Sequence, residues 1–469
     1  MLGRPLEYAS LKTVLLHLDA NVRIEISRRM PSIREIEKIV PLKIWNLSFK
    51  GFSTSVNNTT YRLGIYQNYT SGKASLPVLR ENRDGGAQKD FDEFGFPVPS
   101  GHSDLLPGDV SFQREGDVPF RYNTKRAENY YRQSLRRYQL AKKKYDEITT
   151  NGSNIFMPTL AFQNRLNRAF ANDKATRVEE IKNLIRWALR HPNGLDQKIE
   201  DFETKLIPFE CRRNQSKPPF TCYIQLTIQK ENSKIIQRFE YNKKLFEAAK
   251  QLNQVLFGCR TFPIHVSNFH FGLRRNEIER CIYRLPIGFY LHATEVDCDY
   301  RMLNHKNFKA IVENSENLNT LRIDGYFHRG FDFHNPTILN SKKLVITSLN
   351  ILMIPEYNQI ARDTLSLDFQ FKNELYSSEE YFGLYQSWLS GNRPIGATFC
   401  VELMKRSGEK VLELIRDQSV KTEETERCLT VFINTSTKVE VFYEPFNTAE
   451  ECYDDFMSKW ILKIRIVKA

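Results

Sequence analysis

Imidazole and carboxylate side chains hold divalent metals and move protons, and in this chain they gather most closely at Asp324, His328, Asp332 and His334. A loop could bring these four together around an ion. No H-E-x-x-H helix fixes them, so they read as a polar loop between two structural coils. Asp297-Cys298-Asp299 is a weaker candidate of the same kind. The chain also lacks a G-x-x-x-x-G-K-[ST] phosphate loop, a G-x-G-x-x-G nucleotide turn and a G-x-S-x-G nucleophile elbow. The expectation is therefore a protein without catalytic, metal or cofactor residues, and not an enzyme.

Eight cysteines all lie after residue 210 and form no C-x-x-C pair, which predicts reduced, mostly buried thiols. No apolar run reaches the roughly 18 residues of a membrane span, and the start has no signal-peptide design. This predicts an intracellular protein, cytoplasmic or nuclear, with no membrane contact. Asn-x-Ser/Thr triplets such as Asn57-Asn58-Thr59 are then chance matches. The net charge of +12 arises from 68 basic and 56 acidic residues scattered along the chain, so a mildly basic surface is expected rather than a nucleic-acid site. The sharpest basic feature is the face of Arg132, Arg136, Arg137 and Lys142 to Lys144, on a helix whose other stripe carries Tyr131, Tyr138 and Tyr145.

These residues must be positioned by regular elements. Residues 10–40 predict three short helices: Leu11, Val14, Leu15 and Leu18 on one face, then Val22, Ile26 and Met30 behind an Asp19 or Asn21 cap. The third opens on Pro31 with a Ser32-to-Glu35 capping box, and Ile36 and Val40 face the core. Strand periodicity follows at Leu42 to Phe49 and Tyr61 to Ile65, on either side of a turn-prone Asn57-Asn58. Residues 81–120, rich in Gly, Pro and Asp, predict a long surface loop. A helical section covers about 124–190. Cys222 to Ile228 and Ile235 to Tyr241 predict a hairpin, and a helix from Tyr241 to Gly258 places Tyr241, Leu245, Ala248, Leu252 and Val255 on one face. Farther on, Ser377 to Glu380 can cap a helix carrying Tyr381, Tyr385 and Trp388, and three alternating runs near the C-terminus predict strands that complete a sheet.

Two patterns repeat. Residues 41–49 and 263–271 share P-[LI]-x-[IV]-x-N-[LF]-x-F, each after a predicted helix. Beyond residue 290, Leu318, Leu321 and Ile323 fit L-x-x-L-x-[LI]; Ser341, Leu344 and Ile346 fit it less fully, and Leu365 and Leu367 repeat its end. The central leucines stand 23 and then 21 residues apart, the spacing of leucine-rich coils, although the bend asparagine is missing. Irregular strand-helix coils would turn Leu321, Ile323, Leu344, Ile346, Leu365 and Leu367 inward. Arg322, Val345 and Ser366 would then point outward, where repeat proteins bind partners.

The stretches at residues 6–15, 21–27, 36–38, 41–44, 57–61, 107–110 and 241–245 resemble a nematode-expanded family known only as a domain of unknown function. That family resembles F-box proteins at its N-terminus and F-box-associated domains toward its C-terminus. The resemblance implies that a degenerate F-box docks a Skp-type linker of a cullin-type ubiquitin ligase through helices that include Leu11, Leu15 and Leu18. Met30 and Ile33 stand where an F-box usually has Cys and Trp. The expected fold is α+β: an F-box-like module at 1–40, a strand-rich segment with a long loop at 41–120, a basic helical connector at 121–190 and leucine-rich-repeat-like coils within 191–469. The expected role is binding an unknown protein target, with Leu11, Leu15, Leu18, Arg322 and Ser366 as candidate contact residues. The alternatives are an F-box-derived scaffold without a ligase role, and a nucleic-acid binder working through the connector helix.

Overall fold

The computed structural model describes residues 8–70, 74–98, 104–112, 123–150, 166–167, 178–191, 193–272, 282–303, 305–324, 335–346, 368–371, 377–390, 393–418, 422–445 and 460–469. The first three helices are α1 (Tyr8–His17), α2 (Ala20–Arg29) and α3 (Pro31–Lys38). Strands β1 (Lys43–Lys50), β2 (Ser53–Val56), β3 (Thr59–Tyr69), β4 (Asp90–Phe91), β5 (Pro97–Val98) and β6 (Val110–Ser111) follow. After the helices at Lys125–Thr150, Val178–Arg190 and Gly194–Arg213 come β7 (Phe220–Lys230) and β8 (Ser233–Glu240). The helix Leu245–Phe257 leads into β9 (Ile264–His270), β10 (Ile282–Tyr283), β11 (Leu291–Asp299), β12 (Thr320–Asp324), β13 (Lys343–Ile346) and β14 (Asp368–Phe371). Helix Ser378–Ser390, β15 (Thr398–Leu403), helix Lys405–Gln418, β16 (Thr422–Thr425), β17 (Cys428–Phe432), β18 (Thr437–Pro445) and β19 (Trp460–Lys468) follow, and short helices at Leu76–Arg83, Tyr300–Leu303, Phe308–Ile311 and Pro336–Leu339 and a 3-10 turn at Ser315–Asn317 lie between the strands. The mixture of helices and sheet is the expected α+β class.

The chain folds as two compact units, each assembled from separated segments. The first contains Met1–Thr60, Leu105–Glu115 and Lys250–Ala469; the second contains Tyr61–Asp104 and Gly116–Ala249.

In the first unit, β1, β9, β11, β12, β13, β14 and β15 run parallel in that order, and β19, β18, β17 and β16 extend the sheet antiparallel from β15. The two halves of the sequence echo are adjacent strands: Ile44 pairs with Val266, Asn46 with Asn268 and Leu47 with Phe269. Parallel neighbours bury the same positions, so each strand asks for the same pattern. Leu321, Ile323 and Leu344 are fully buried as the coil reading requires. The third coil is displaced, because Leu344 pairs with Phe369 and Ile346 with Phe371; Leu365 and Leu367 lie outside the described residues. The C-terminal alternation buries Leu429, Val431, Val439, Val441, Tyr443, Leu462, Ile464 and Ile466, as expected of strands that complete a sheet. Ahead of them the Ser377 capping box is formed: the backbone N–H of Ser377 donates to Glu380 Oε2 at 2.8 Å, and that of Glu380 donates back to Ser377 Oγ at 3.3 Å.

The N-terminal helices differ in rotation from the periodicity reading. Leu15 is buried and Leu11 and Leu18 are half-buried, while Val14, Val22 and Met30 are exposed. In α2 the buried positions are Arg23, Ile24 and Ser27. Arg23 turns inward because its guanidinium reaches the carbonyls of Glu37 (3.0 Å), Val40 (2.8 Å) and Pro41 (2.7 Å), which the end of α3 leaves without helical partners. Asp19 caps α2 by accepting the Asn21 N–H at 2.8 Å. The expected Ser32 cap is not formed; Met30 occupies the N-cap position without a side-chain bond and Pro31 opens the helix.

Part of the Gly/Pro/Asp stretch is interior rather than a surface loop. The Asp109 side chain is fully buried in the first unit, where Arg284 and Lys250 reach it at 2.6 and 2.9 Å. In the second unit Gly85 and Gly86 are buried, and a Cβ on Gly64 would stand 2.4 Å from the Gly85 carbonyl, so only glycine lets these backbones meet. The hairpin of β7 and β8 is present, with Lys230 paired to Ser233 across a two-residue turn. The helix expected from Tyr241 begins at Leu245, whose N–H donates to Asp90 at 2.8 Å while the Tyr241 hydroxyl donates to the same oxygen at 2.7 Å. Its buried positions include Leu245, Ala249, Leu256 and Phe257, and Val255 is exposed.

Candidate functional site

The outward face of β1, β9 and β11 is where the first unit concentrates accessible polar chemistry. Each strand alternates buried and outward residues, then places two successive residues outward: Trp45-Asn46, Ser267-Asn268 and Thr294-Glu295. Asn57 holds this irregularity in β1. Its side-chain oxygen accepts the N–H groups of Trp45 and Asn46 at 2.9 and 3.1 Å, and its amide nitrogen donates to Asp19 at 2.8 Å. The turn residue itself has φ 50°, a conformation asparagine tolerates.

The common register gathers the outward side chains into rows across the strands. Lys43, His265 and His292 form one; Asn46, Asn268 and Glu295 another; Ser48, His270, Asp297 and Arg322 a third. Neighbours within and between rows are bonded. Asn268 Nδ2 donates to Asn46 Oδ1 at 2.9 Å, His270 Nδ1 meets Asp297 Oδ2 at 3.1 Å, and Arg322 meets Glu295 at 3.3 Å. The rings of His265 and His292 meet edge to face with centroids 5.5 Å apart, and His292 Nε2 lies 2.7 Å from Glu313. Partial burial lowers the His265 pKa below the ordinary imidazole value, and the positive fields of His292 and Lys43 add to the effect. Two open clefts follow these rows. One, of about 470 Å³, runs between Ser48, His270, Asp297 and Arg322; the other, of about 600 Å³, lies beside Trp45, His265 and His292.

Trp45 stands out of this polar face with 66% of its surface exposed. Sequence reading treated it as one position of an alternating strand. The signal was present in its residue type at an outward strand position, where a large ring is left largely uncovered by the described residues.

Among the sequence candidates, Arg322 is brought to this face. Val345, its cross-strand neighbour, was expected outward and is fully buried, so the polar row ends at Arg322. Ser366 lies outside the described residues, as do His328, Asp332 and His334. Leu15 belongs to the core. Asp297 belongs to the rows above, and Cys298 is buried, which drives its thiol pKa far up and away from nucleophilic use. Among the described residues no group of three or more His, Cys, Asp or Glu side chains could hold a metal ion, and no helix is long and apolar enough to cross a membrane.

The basic connector face in the second unit is largely paired with acid. Arg132 meets Glu128 at 2.9 Å, Lys142 meets Asp196 at 3.0 Å and Asp146 at 3.4 Å, and Arg137 meets Glu180. Ala141 and Ile148 of the same helix are buried, and the Tyr138 and Tyr145 rings pack with them. This unit also holds a cavity of about 190 Å³ walled by Tyr69, Phe91, Phe96, Tyr131, Phe209 and Phe220. It is smaller than the roughly 300 Å³ at which small-molecule sites begin.

Residues 244–405 match a domain of unknown function, DUF3557. The match takes in β9 to β15, and with them the His265, His292 and Arg322 side of the face. Trp45 and α1 to α3 precede it. No curated protein and no solved structure matches the chain.

Proposed function

We propose that this chain is a protein-binding adaptor that takes a polypeptide on the outward sheet face of its first unit, with Trp45 as the anchor. The exposed tryptophan carries the reading. Aromatic side chains at the centre of polar surroundings supply most of the energy of protein–protein contacts. The flanking rows offer hydrogen-bond donors, acceptors and charges of both signs, which suits a polar segment better than a polyanion. The pairing of the connector's cations with carboxylates also disfavours nucleic acid.

The second half of an adaptor is a surface for the ligase linker. Tyr8, Val14 and Leu16 on α1 and Val22 on α2 are exposed apolar side chains, and with Met30 they are the ones offered to a Skp-type linker. Leu11, Leu15 and Leu18 support that surface from beneath. The scaffold alternative differs only in lacking this contact.

Affinity purification of the full chain, run beside Trp45→Ala and Val14→Asp/Leu16→Asp, separates the readings. The adaptor requires a target lost only with Trp45→Ala and a Skp-type linker lost only with the helix variant. A target without the linker leaves the scaffold. Partners that survive Trp45→Ala undiminished would remove the sheet face from consideration.

A further inference from the structure

The last strand of the second unit is built unlike the others. Strand order there is β3, β7, β8, and among the described residues β8 pairs with β7 alone. Every residue of β8 except Gln237 is exposed, including Ile235 (41%), Ile236 (44%) and Phe239 (51%). Ile235 and Phe239 sit opposite Ile228 and Ile224, both buried, so the apolar side of this sheet continues onto an edge strand that leaves it open. A flat edge carrying large apolar residues, without proline or bulge, invites another strand.

The turn fixes which backbone groups are available. Lys230 and Ser233 close a two-residue hairpin, so residues 233, 235, 237 and 239 direct their N–H and C=O groups toward β7. Those of Lys234, Ile236, Arg238 and Glu240 face outward. The sequence of that edge, Lys234-Ile235-Ile236-Gln237-Arg238-Phe239-Glu240, reads complementarily in reverse about its centre.

We propose that β8 pairs antiparallel with β8 of a second copy of this chain, about a twofold axis at Gln237. In that register Lys234 faces Glu240 of the other copy, Ile235 faces Phe239, and Ile236 lies against the aliphatic stem of Arg238. Each pair occurs twice, as a twofold interface demands. Opposite charges and apolar partners directly across a strand pair are the favourable combinations. The Arg238 head is already held within its own unit, 3.8 Å over the Tyr66 ring and 3.1 Å from Gln225, so its stem is the part left to Ile236. Lys234 donates one bond to the Arg83 carbonyl at 2.6 Å, and an ammonium has two more protons for Glu240.

Sedimentation equilibrium of the full chain tests this directly. The expected result is a reversible dimer in the micromolar range, the affinity of a small interface. Lys234→Glu and Glu240→Lys, each placing like charges opposite one another twice, should each weaken it about tenfold. The double variant restores opposite charges and should recover the original affinity, whereas Ile236→Pro, which removes an outward N–H without touching the β7 ladder, should abolish the dimer. A monomer throughout the micromolar range, or a dimer indifferent to both charge reversals and to the proline, would overturn the proposal. So would an edge found to take an extended peptide while the protein remains monomeric.

Discussion

At the scale of single residues, the buried charges explain why α1 to α3 are part of the first unit rather than an appendage. Glu37 is fully buried between two guanidinium groups, 2.9 Å from Arg23 and 3.0 Å from Arg260. Burial pulls both arginines below their ordinary pKa, and the Glu37 carboxylate works against that shift. Removing one partner of such a group leaves the others buried and uncompensated. Glu37→Gln keeps the volume and discards the charge, and is expected to cost about 3–5 kcal/mol in a denaturant titration. Trp45→Ala, at an exposed position, should shift stability by no more than about 0.5 kcal/mol in the same assay. Periodicity assigned the inward face of α2 to Val22 and Met30 because an arginine is ordinarily an outward residue. Its role here depends on carbonyls fourteen and more positions away, which no local pattern contains.

At the scale of elements, the parallel strands were the most legible part of the chain. A buried strand between parallel neighbours imposes the same spacing on each, so Leu47 and Phe269 announce one another in the repeated pattern, and the structure sets both in one row with Val296 and Leu321. The two-residue outward step at Trp45-Asn46 was not legible, since it is held by Asn57 from the following turn. Nor was the burial of Val345, which shares a row with the half-buried Arg322. Leu344→Ala should cost about 2–5 kcal/mol by leaving a cavity, and Arg322→Ala should change stability little, its bond to Glu295 being a surface ion pair. The row of Lys43, His265 and His292 makes a pH-dependent element. His265 has a lowered pKa in the fold, so the unfolded chain binds its proton more readily. The stabilisation is complete above the ordinary imidazole value of 6.5 and is lost as pH falls from there through the depressed folded value. His305, lowered chiefly by its own burial, acts in the same direction. The denaturant midpoint should therefore fall between pH 7.5 and about 5, and fall less in His265→Asn. A midpoint that rises on acidification would contradict the sign.

At the scale of the whole molecule, each unit is closed by segments far apart in sequence. The crossings at residues 60 and 249 fall inside β3 and the helix Leu245–Phe257, so no break in periodicity marks them in the sequence. The consequence is clearest at the N-terminus, where residues 1–40 resemble a module that could be cut away. Structurally they supply Glu37 to Arg260, the Lys38 ammonium to the Gly258 carbonyl, and the Lys38 carbonyl to the Thr261 N–H at 3.3 Å. A chain beginning at Pro41 loses all three contacts and leaves Arg260 buried without its carboxylate. It should unfold at clearly lower temperature than the full chain, by an amount matching a loss of about 3–5 kcal/mol or more. Val14→Asp/Leu16→Asp alters exposed side chains only and should melt within a few degrees of the parent. The contrast bears on how linker binding is read: failure of the shortened chain to recover a Skp-type linker reports lost folding as much as a lost surface, whereas failure of the double variant reports the surface alone. Equal melting temperatures for the shortened and full chains would show instead that α1 to α3 are a detachable module, and that the Glu37 contacts contribute little to the first unit.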